Sequence, residues 1–267
     1  MQKTGKNRNT IDKFYTNPDI VKKYIDQFTH YLKPDDLIIE PSAGSGAWTI
    51  PLSSYNLIAF DIQPEGEGIQ QADFLYVDLY AFQSNLHFIG NPPFGRQSSL
   101  AKRFIKHICA CEKTQTIAFI LPKSFKKDSF KKVFPPKFHL VYQDDVGKDA
   151  FLANGKPHDV PCIFQIWIRC DFDREIPETL KPIGFKFVKK DENPGYSLRR
   201  VGVYAGKLDR KTDDKSEQSH YFIKLNKNSD LCALKYNMDE WDHDNTVGPR
   251  SISKQEFIKV LNKLVSL

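Results

Sequence analysis

The tetrapeptide Asn91-Pro92-Pro93-Phe94 sets an amide side chain, two rigid prolines and an aromatic ring in consecutive positions. Proline fixes its own φ and restrains the residue before it, so carbonyl groups in this stretch are preorganised acceptors. A second set lies upstream: Glu40-Pro41-Ser42-Ala43-Gly44-Ser45-Gly46 is a loop of small residues opened by a carboxylate, and its glycines let backbone approach a ligand closely. Asp61 closes the next apolar run and is placed to accept from hydroxyl groups. Each feature alone has a plainer reading. The tetrapeptide is more often a proline turn with its Phe in the core, the small-residue loop is shared with nucleotide-binding turns, and a strand-end Asp is commonly a cap.

Other chemistries find less support. The five cysteines, Cys109, Cys111, Cys162, Cys170 and Cys232, are odd in number and lack zinc-ligand spacing, so they read as reduced structural thiols. His107, two residues before Cys109, reads as a surface histidine on a helix, and no metal is expected. A net charge of +6 and a pI near 8.9 suit a polyanionic partner without singling one out. No run approaches the roughly 18 apolar residues of a membrane helix, and the polar start Met1-Gln2-Lys3-Thr4-Gly5-Lys6 lacks a signal-peptide core. The expectation is an intracellular protein, cytoplasmic or in the nucleoid or nucleus, neither secreted nor membrane-bound.

The elements that must position these residues follow from periodicity. Asn17 caps a helix with Pro18 at its first position, and Ile20, Val21, Tyr24, Ile25, Phe28, Tyr31 and Leu32 recur with helical spacing to about Lys33-Pro34. Residues 36–40 form a short apolar run too brief for a helix, followed by the small-residue loop and a second helical stretch. Further runs at 56–60, 86–90 and 116–121 end at Asp61, Asn91 and Pro122-Lys123, with a helix marked by Leu100, Phe104, Ile105 and Ile108 among them. Strands alternating with helices imply a parallel sheet covered on both faces, with ligands beyond the carboxyl ends of its strands. Runs at 138–143 and 160–168, joined by a long loop, read as an antiparallel pair.

In this context the chain resembles the class I S-adenosylmethionine-dependent amino-methyltransferases, and within them the N6-adenine enzymes. Their catalytic motif is Asn or Asp, Pro, Pro, then an aromatic residue, and their cofactor loop is acidic-Pro-x-x-Gly-x-Gly. The resemblance implies a Rossmann-like α/β fold: a seven-stranded, mostly parallel sheet with an antiparallel last strand pair, plus a small C-terminal α+β extension. It implies that the Asn91 side chain and the Pro92 carbonyl accept from the target amino group and that Phe94 stacks on the base once the base is swung out. Cofactor contacts are implied for Glu40, Pro41, Ala43, Gly44, Gly46, Asp61, Ile62 and Asn91, with Asp61 on the ribose hydroxyls and the amides of the following helix facing the methionine carboxylate. Ala72-Asp73-Phe74-Leu75 matches the element in which Asp73 meets the cofactor adenine and Phe74 packs on its ring. Phe14-Tyr15-Thr16 matches an aromatic-Thr segment that touches the methionine moiety.

Candidate substrate contacts are Pro93, Lys123, Phe125, Lys148, Phe151 and His158, the last three in a loop that also carries Asn154 and Lys156. Residues 1–170 are read as the cofactor-binding domain, with a mobile arm over 1–13, and 171–267 as a small extension for substrate recognition. There, strands are expected at 200–204 and 220–225 around an exposed loop at 207–217, and a capping box at Ser253-Lys254-Gln255-Glu256 opens a last helix. The resemblance implies methylation of adenine N6 in nucleic acid, with DNA favoured slightly over RNA and a partner subunit or homodimer allowed. RNA adenine N6 or guanine N2 is the alternative within the class, release-factor glutamine rank behind, and a catalytically silent nucleic-acid-binding partner is the alternative of another class.

Overall fold

The computed structural model describes residues 15–148, 150–153, 156–226, 241, 244–246 and 248–265. The expected arm, Phe14, Asn154 and Cys232 lie outside these residues. Contacts divide the chain into two compact units between Glu175 and Ile176.

The larger unit is built on β2 (Leu37–Glu40), β3 (Leu57–Asp61), β4 (Gln70–Gln71), β5 (Leu86–Gly90), β6 (Thr114–Pro122), β7 (Phe138–Asp145) and β10 (Cys162–Arg169). They form one sheet in the order β4-β3-β2-β5-β6-β10-β7. Neighbours from β4 through β6 pair in parallel, whereas β10 inserts antiparallel to both β6 and β7. This is the Rossmann-like sheet expected from the sequence, including the antiparallel last pair. Two helices cover it. α1 (Pro18–Thr29) buries Val21, Tyr24 and Phe28 against Ile38, Ile89 and Phe164. α2 (Ser99–Ala110) buries Phe104, Ile105 and Ile108 against Ile39, Phe88 and Phe119. Ile38 and Ile39 thus serve opposite layers, as the two-residue period of a strand requires. A single turn, α3 (Asp128–Lys131), follows β6.

Asn17 caps α1 by accepting from the Asp19 amide at 3.0 Å, with Pro18 at the first turn. The helix stops at Thr29 rather than near Pro34. The helical stretch expected after Gly46 is instead a series of turns over 44–54. Gly44 and Gly46 hold φ of 55° and 89°, outside the helical region, and Pro51 has no amide to donate. Three-residue closures such as Ser53 to Ile50 and Tyr55 to Leu52 replace the helical ladder. Trp48 and Leu52 still pin this segment to the core.

The loop between β7 and β10 contains a hairpin, β8 (Phe151–Ala153) and β9 (Lys156–His158). β8 also pairs with β1 (Tyr15–Thr16), making a separate three-stranded sheet.

The smaller unit has an antiparallel sheet of β11 (Phe185–Val188), β12 (Tyr196–Arg199), β13 (Leu208–Asp209) and β14 (His220–Leu225), in the order β11-β14-β12-β13. α4 (Lys254–Val265) packs Phe257 and Leu261 with Phe185, Leu198 and Ile223. Its capping box is formed: the Glu256 amide donates to Ser253 Oγ at 3.3 Å and the Ser253 amide to Glu256 Oε2 at 2.7 Å. The strand expected at 200–204 lies earlier, at β12, because Gly202 and Gly206 turn the chain with φ of 92° and 97°. β13 interrupts the loop expected at 207–217, and Lys215 is paired there with Asp209 and Asp214. Among the described residues no helix is long and apolar enough to cross a membrane.

Candidate active site

The strand order reverses at β2, whose neighbours β3 and β5 carry the chain to opposite sides of the sheet. A reversal of this kind opens a crevice beyond the carboxyl ends of the strands. Glu40 ends β2, Asp61 ends β3, and Asn91 follows Gly90 at the end of β5. The chemistry-bearing residues of three adjacent strands therefore meet at one edge of the sheet.

Hydrogen bonds tie these strand ends together. Asp61 Oδ2 accepts from the Gly44 amide at 2.8 Å and Oδ1 from the Gln63 amide at 2.7 Å. The Ala43 amide donates to the Phe60 carbonyl, and the amides of Glu65 and Gly66 return to the Gly44 carbonyl. A β-carbon on Gly66 would lie 2.9 Å from the Ser45 carbonyl oxygen, so only glycine fits where the two loops touch. Ser42 Oγ donates to the Asn91 backbone carbonyl at 3.2 Å, joining the small-residue loop to the Asn-Pro-Pro-Phe segment across the reversal point.

Glu40 is 1% exposed and accepts from the Thr49 hydroxyl. Burial pushes its carboxyl up to about 8, with the nearby charge of Asp61 adding to the rise and the Thr49 bonds opposing it. A β-carbon on Gly90 would meet the Glu40 Cγ at an ordinary 3.5 Å, so the φ of 146° is what favours glycine there.

Pro92 is buried, and Phe94 is half-buried, touching the apolar layers on both faces of the sheet. The Phe94 carbonyl accepts from the amides of Leu100 and Ala101 at 3.1 and 3.3 Å, which fixes the tetrapeptide to the start of α2. Between them Gly95, Gln97 and Ser98 hold φ of 69°, 53° and 58°. Left-handed backbone costs a residue with a side chain roughly 1–2 kcal/mol. Strain stored beside a candidate site is a recurrent feature of functional loops.

Other expected contacts are placed elsewhere. Phe74 is 2% exposed and sits in the core with Phe60, Phe88, Phe104 and His107, leaving no open ring face for a ligand. Asp73 caps the short turn that starts at Phe74, accepting from the Leu75 amide at 3.0 Å. Phe125 and Phe151 are buried in the core. Apolar strands need large rings beneath them, and these two supply that packing. Lys123 Nζ is 3.3 Å from Asp145 Oδ2, so its charge is engaged within the chain. Lys148 is exposed at the turn before the hairpin, Pro93 is half-buried, and Ile62 is 53% exposed at the end of β3. Thr16 is buried in β1, Tyr15 is its strand neighbour, and His158 lies on β9 opposite Phe151. Among the described residues no group of three or more His, Cys, Asp or Glu side chains could hold a metal ion. Cys109 is buried, and burial pushes its thiol up to about 12, an unreactive state at neutral pH.

Two participants carry no sequence assignment: Ser42, as the link to Asn91, and Thr49, as the partner of Glu40. Both are small hydroxyl residues within or just after the glycine loop, a position that signals turn chemistry but not a partner.

No family model matches the sequence, and no curated protein matches it. Among solved structures the chain is similar to Trm5b from Pyrococcus abyssi, at 14% identity and TM-score 0.40, covering 60% of this chain and 51% of that one. It is similar to a protein described as a modification subunit of a type I restriction enzyme from Vibrio vulnificus, at 11% identity and TM-score 0.45, covering 95% and 62%. It is also similar to magnesium protoporphyrin IX methyltransferase from Synechocystis, solved with bound S-adenosylmethionine, at 10% identity and TM-score 0.42, covering 57% and 79%. The chain thus spans about half of the first protein and under two-thirds of the second. Likenesses this remote do not bear on substrate or chemistry.

Proposed function

We propose that the chain is an S-adenosylmethionine-dependent methyltransferase acting on the exocyclic N6 amino group of adenine in nucleic acid, with DNA favoured slightly. The observation that carries the reading is the junction at the sheet reversal, where Ser42 bonds to Asn91 while Asp61 bonds to Gly44. One junction thereby joins a glycine loop, a strand-end carboxylate and a rigid acceptor segment.

The donor set fits the cofactor. Each Asp61 oxygen accepts one amide and retains a lone pair, enough to receive the two ribose hydroxyls. The backbone of Gly44 and Gly46 gives close approach, the exposed Ile62 offers an apolar surface, and Glu40 lies behind the loop. The cofactor, when bound, supplies a methyl group on a sulfonium centre. On the substrate side, the Asn91 side-chain carbonyl and the Pro92 carbonyl accept the two hydrogens of the adenine amino group. This localises the nitrogen lone pair for attack, and Phe94 offers its ring to the displaced base. Pro93 holds the segment rigid, and Lys148 offers an exposed cation to phosphate.

The test is transfer of labelled methyl from S-adenosylmethionine to matched DNA and RNA oligonucleotides, with nucleoside mass spectrometry of the product. N6-methyladenine is the expected product. Label only on protein, or only in N2-methylguanosine, would overturn the adenine reading.

A further inference from the structure

At one end of its sheet the smaller unit carries a cleft of about 250 Å³ whose walls include Phe187, Lys189, Glu217, Tyr221 and Lys254. Phe187 on β11 pairs with Ile223 on β14, two residues from Tyr221, so both aromatic side chains point to the same face. Their rings meet edge to face at 5.7 Å. Each is only half-buried, on the rim of the apolar core rather than within it.

Two cations lie on this aromatic pair. Lys254, the first residue of α4, places Nζ 5.0 Å from the Phe187 ring centre and 5.6 Å from that of Tyr221. The Arg200 guanidinium is 5.4 Å from the Tyr221 ring centre. Among the described residues no carboxylate forms an ion pair with either cation, unlike Lys215, which is held by two aspartates. Arg200 is also held by neutral acceptors, the Gln218 carbonyl at 3.1 Å and the Tyr221 hydroxyl at 3.5 Å, whereas Lys254 lies against the ring faces and is readily redirected to a phosphate, which opens the ring to a planar partner. Lys189 and Lys190 join Lys254 as positive charges on the wall, against the single carboxylate of Glu217.

The geometry points to this cleft as a subsite for one unstacked base and its adjoining phosphate in a single-stranded stretch of nucleic acid. The base stacks on the Tyr221 ring, with Phe187 standing edge to face beside it, while Lys254 and Arg200 neutralise the phosphodiester. An acidic peptide would satisfy the cations but has no planar group to match the rings, and a purely apolar ligand would strand the charges. The inference rests on the reading of the larger unit, in which nucleic acid is the substrate, and it names where the smaller unit grips the strand.

The experiment measures binding of short fluorescent single strands, DNA and RNA, to the full-length chain by anisotropy across a salt series. Tyr221→Leu is expected to weaken binding about tenfold or more, the scale of one lost base–aromatic stack. Lys254→Ala, at an exposed position outside the core, is expected to weaken binding and lower the salt slope by about 0.7, one single-strand phosphate contact. It keeps the test sound if Tyr221→Leu unfolds the unit. Wild-type binding that neither variant changes, or no binding by the wild type, overturns the subsite. S-adenosylmethionine affinity, measured on the same preparations, separates the two readings. Cofactor binding with strand affinity unmoved by the variants sinks the cleft alone. Strand affinity lost in the variants of a chain that binds no S-adenosylmethionine sinks the larger unit's reading and keeps the cleft.

Discussion

The amide of Gly44 donates to Asp61 Oδ2 across 2.8 Å, so the carboxylate proposed to receive the ribose already sets the shape of the loop facing it. Asp61→Ala removes both roles together. A hydrogen bond to a charged acceptor is worth about 1.5–3 kcal/mol, and the expected result is S-adenosylmethionine binding weakened by at least about tenfold. Calorimetric titration measures it, and an unchanged dissociation constant rejects the ribose assignment.

Asn91 has a different expected signature. Its backbone carbonyl keeps the Ser42 bond whatever the side chain, so Asn91→Ala should leave cofactor affinity nearly unchanged while methyl transfer falls about 10²–10³-fold. Equal losses in both measurements would make Asn91 a structural residue.

The buried Glu40 predicts a pH dependence. Its carboxyl is raised from the ordinary 4.5 to about 8, so between those values the folded chain holds a proton that the unfolded chain has released. Stability from this group is full below pH 4.5 and declines as pH rises through 8. Glu40→Gln should flatten that decline when denaturant unfolding is compared at pH 5 and pH 8.5; parallel curves for the two proteins would count against it.

Phe74 separates packing from ligand contact. With the ring enclosed by Phe60, Phe88, Phe104 and His107, Phe74→Ala should cost about 3–5 kcal/mol of stability. Cofactor affinity of the folded fraction should hold, and a loss of affinity with stability intact would return Phe74 to the binding site.

Strand ends were the most legible part of this molecule. Residues 37–40, 57–61 and 86–90 are short apolar runs closed by a carboxylate or a glycine, and local pattern alone places Glu40, Asp61 and Asn91 at one sheet edge. The turns after Gly46 were less legible, because alternating small and apolar residues imitate a helix until Pro51 and two left-handed glycines are weighed. Aromatic roles were not legible at all. Phe74, Phe125, Phe151 and Phe94 are the same residue type beside the same motifs, and only the packing leaves Phe94 half-open while enclosing the others. The bonds of Ser42 to Asn91 and of Thr49 to Glu40 join residues whose partners no spacing rule selects.

The pairing of β1 with β8 sets a practical boundary for anyone shortening the chain. Tyr15 and Thr16 sit opposite Leu152 and Phe151, and the Asn17 amide reaches the Ala150 carbonyl at 2.9 Å. A version trimmed past Thr16 would leave the hairpin between β7 and β10 with an unzipped outer edge, ready to recruit the same edge of another molecule. A purification tag or fluorescent label is better joined ahead of Tyr15 than substituted for it.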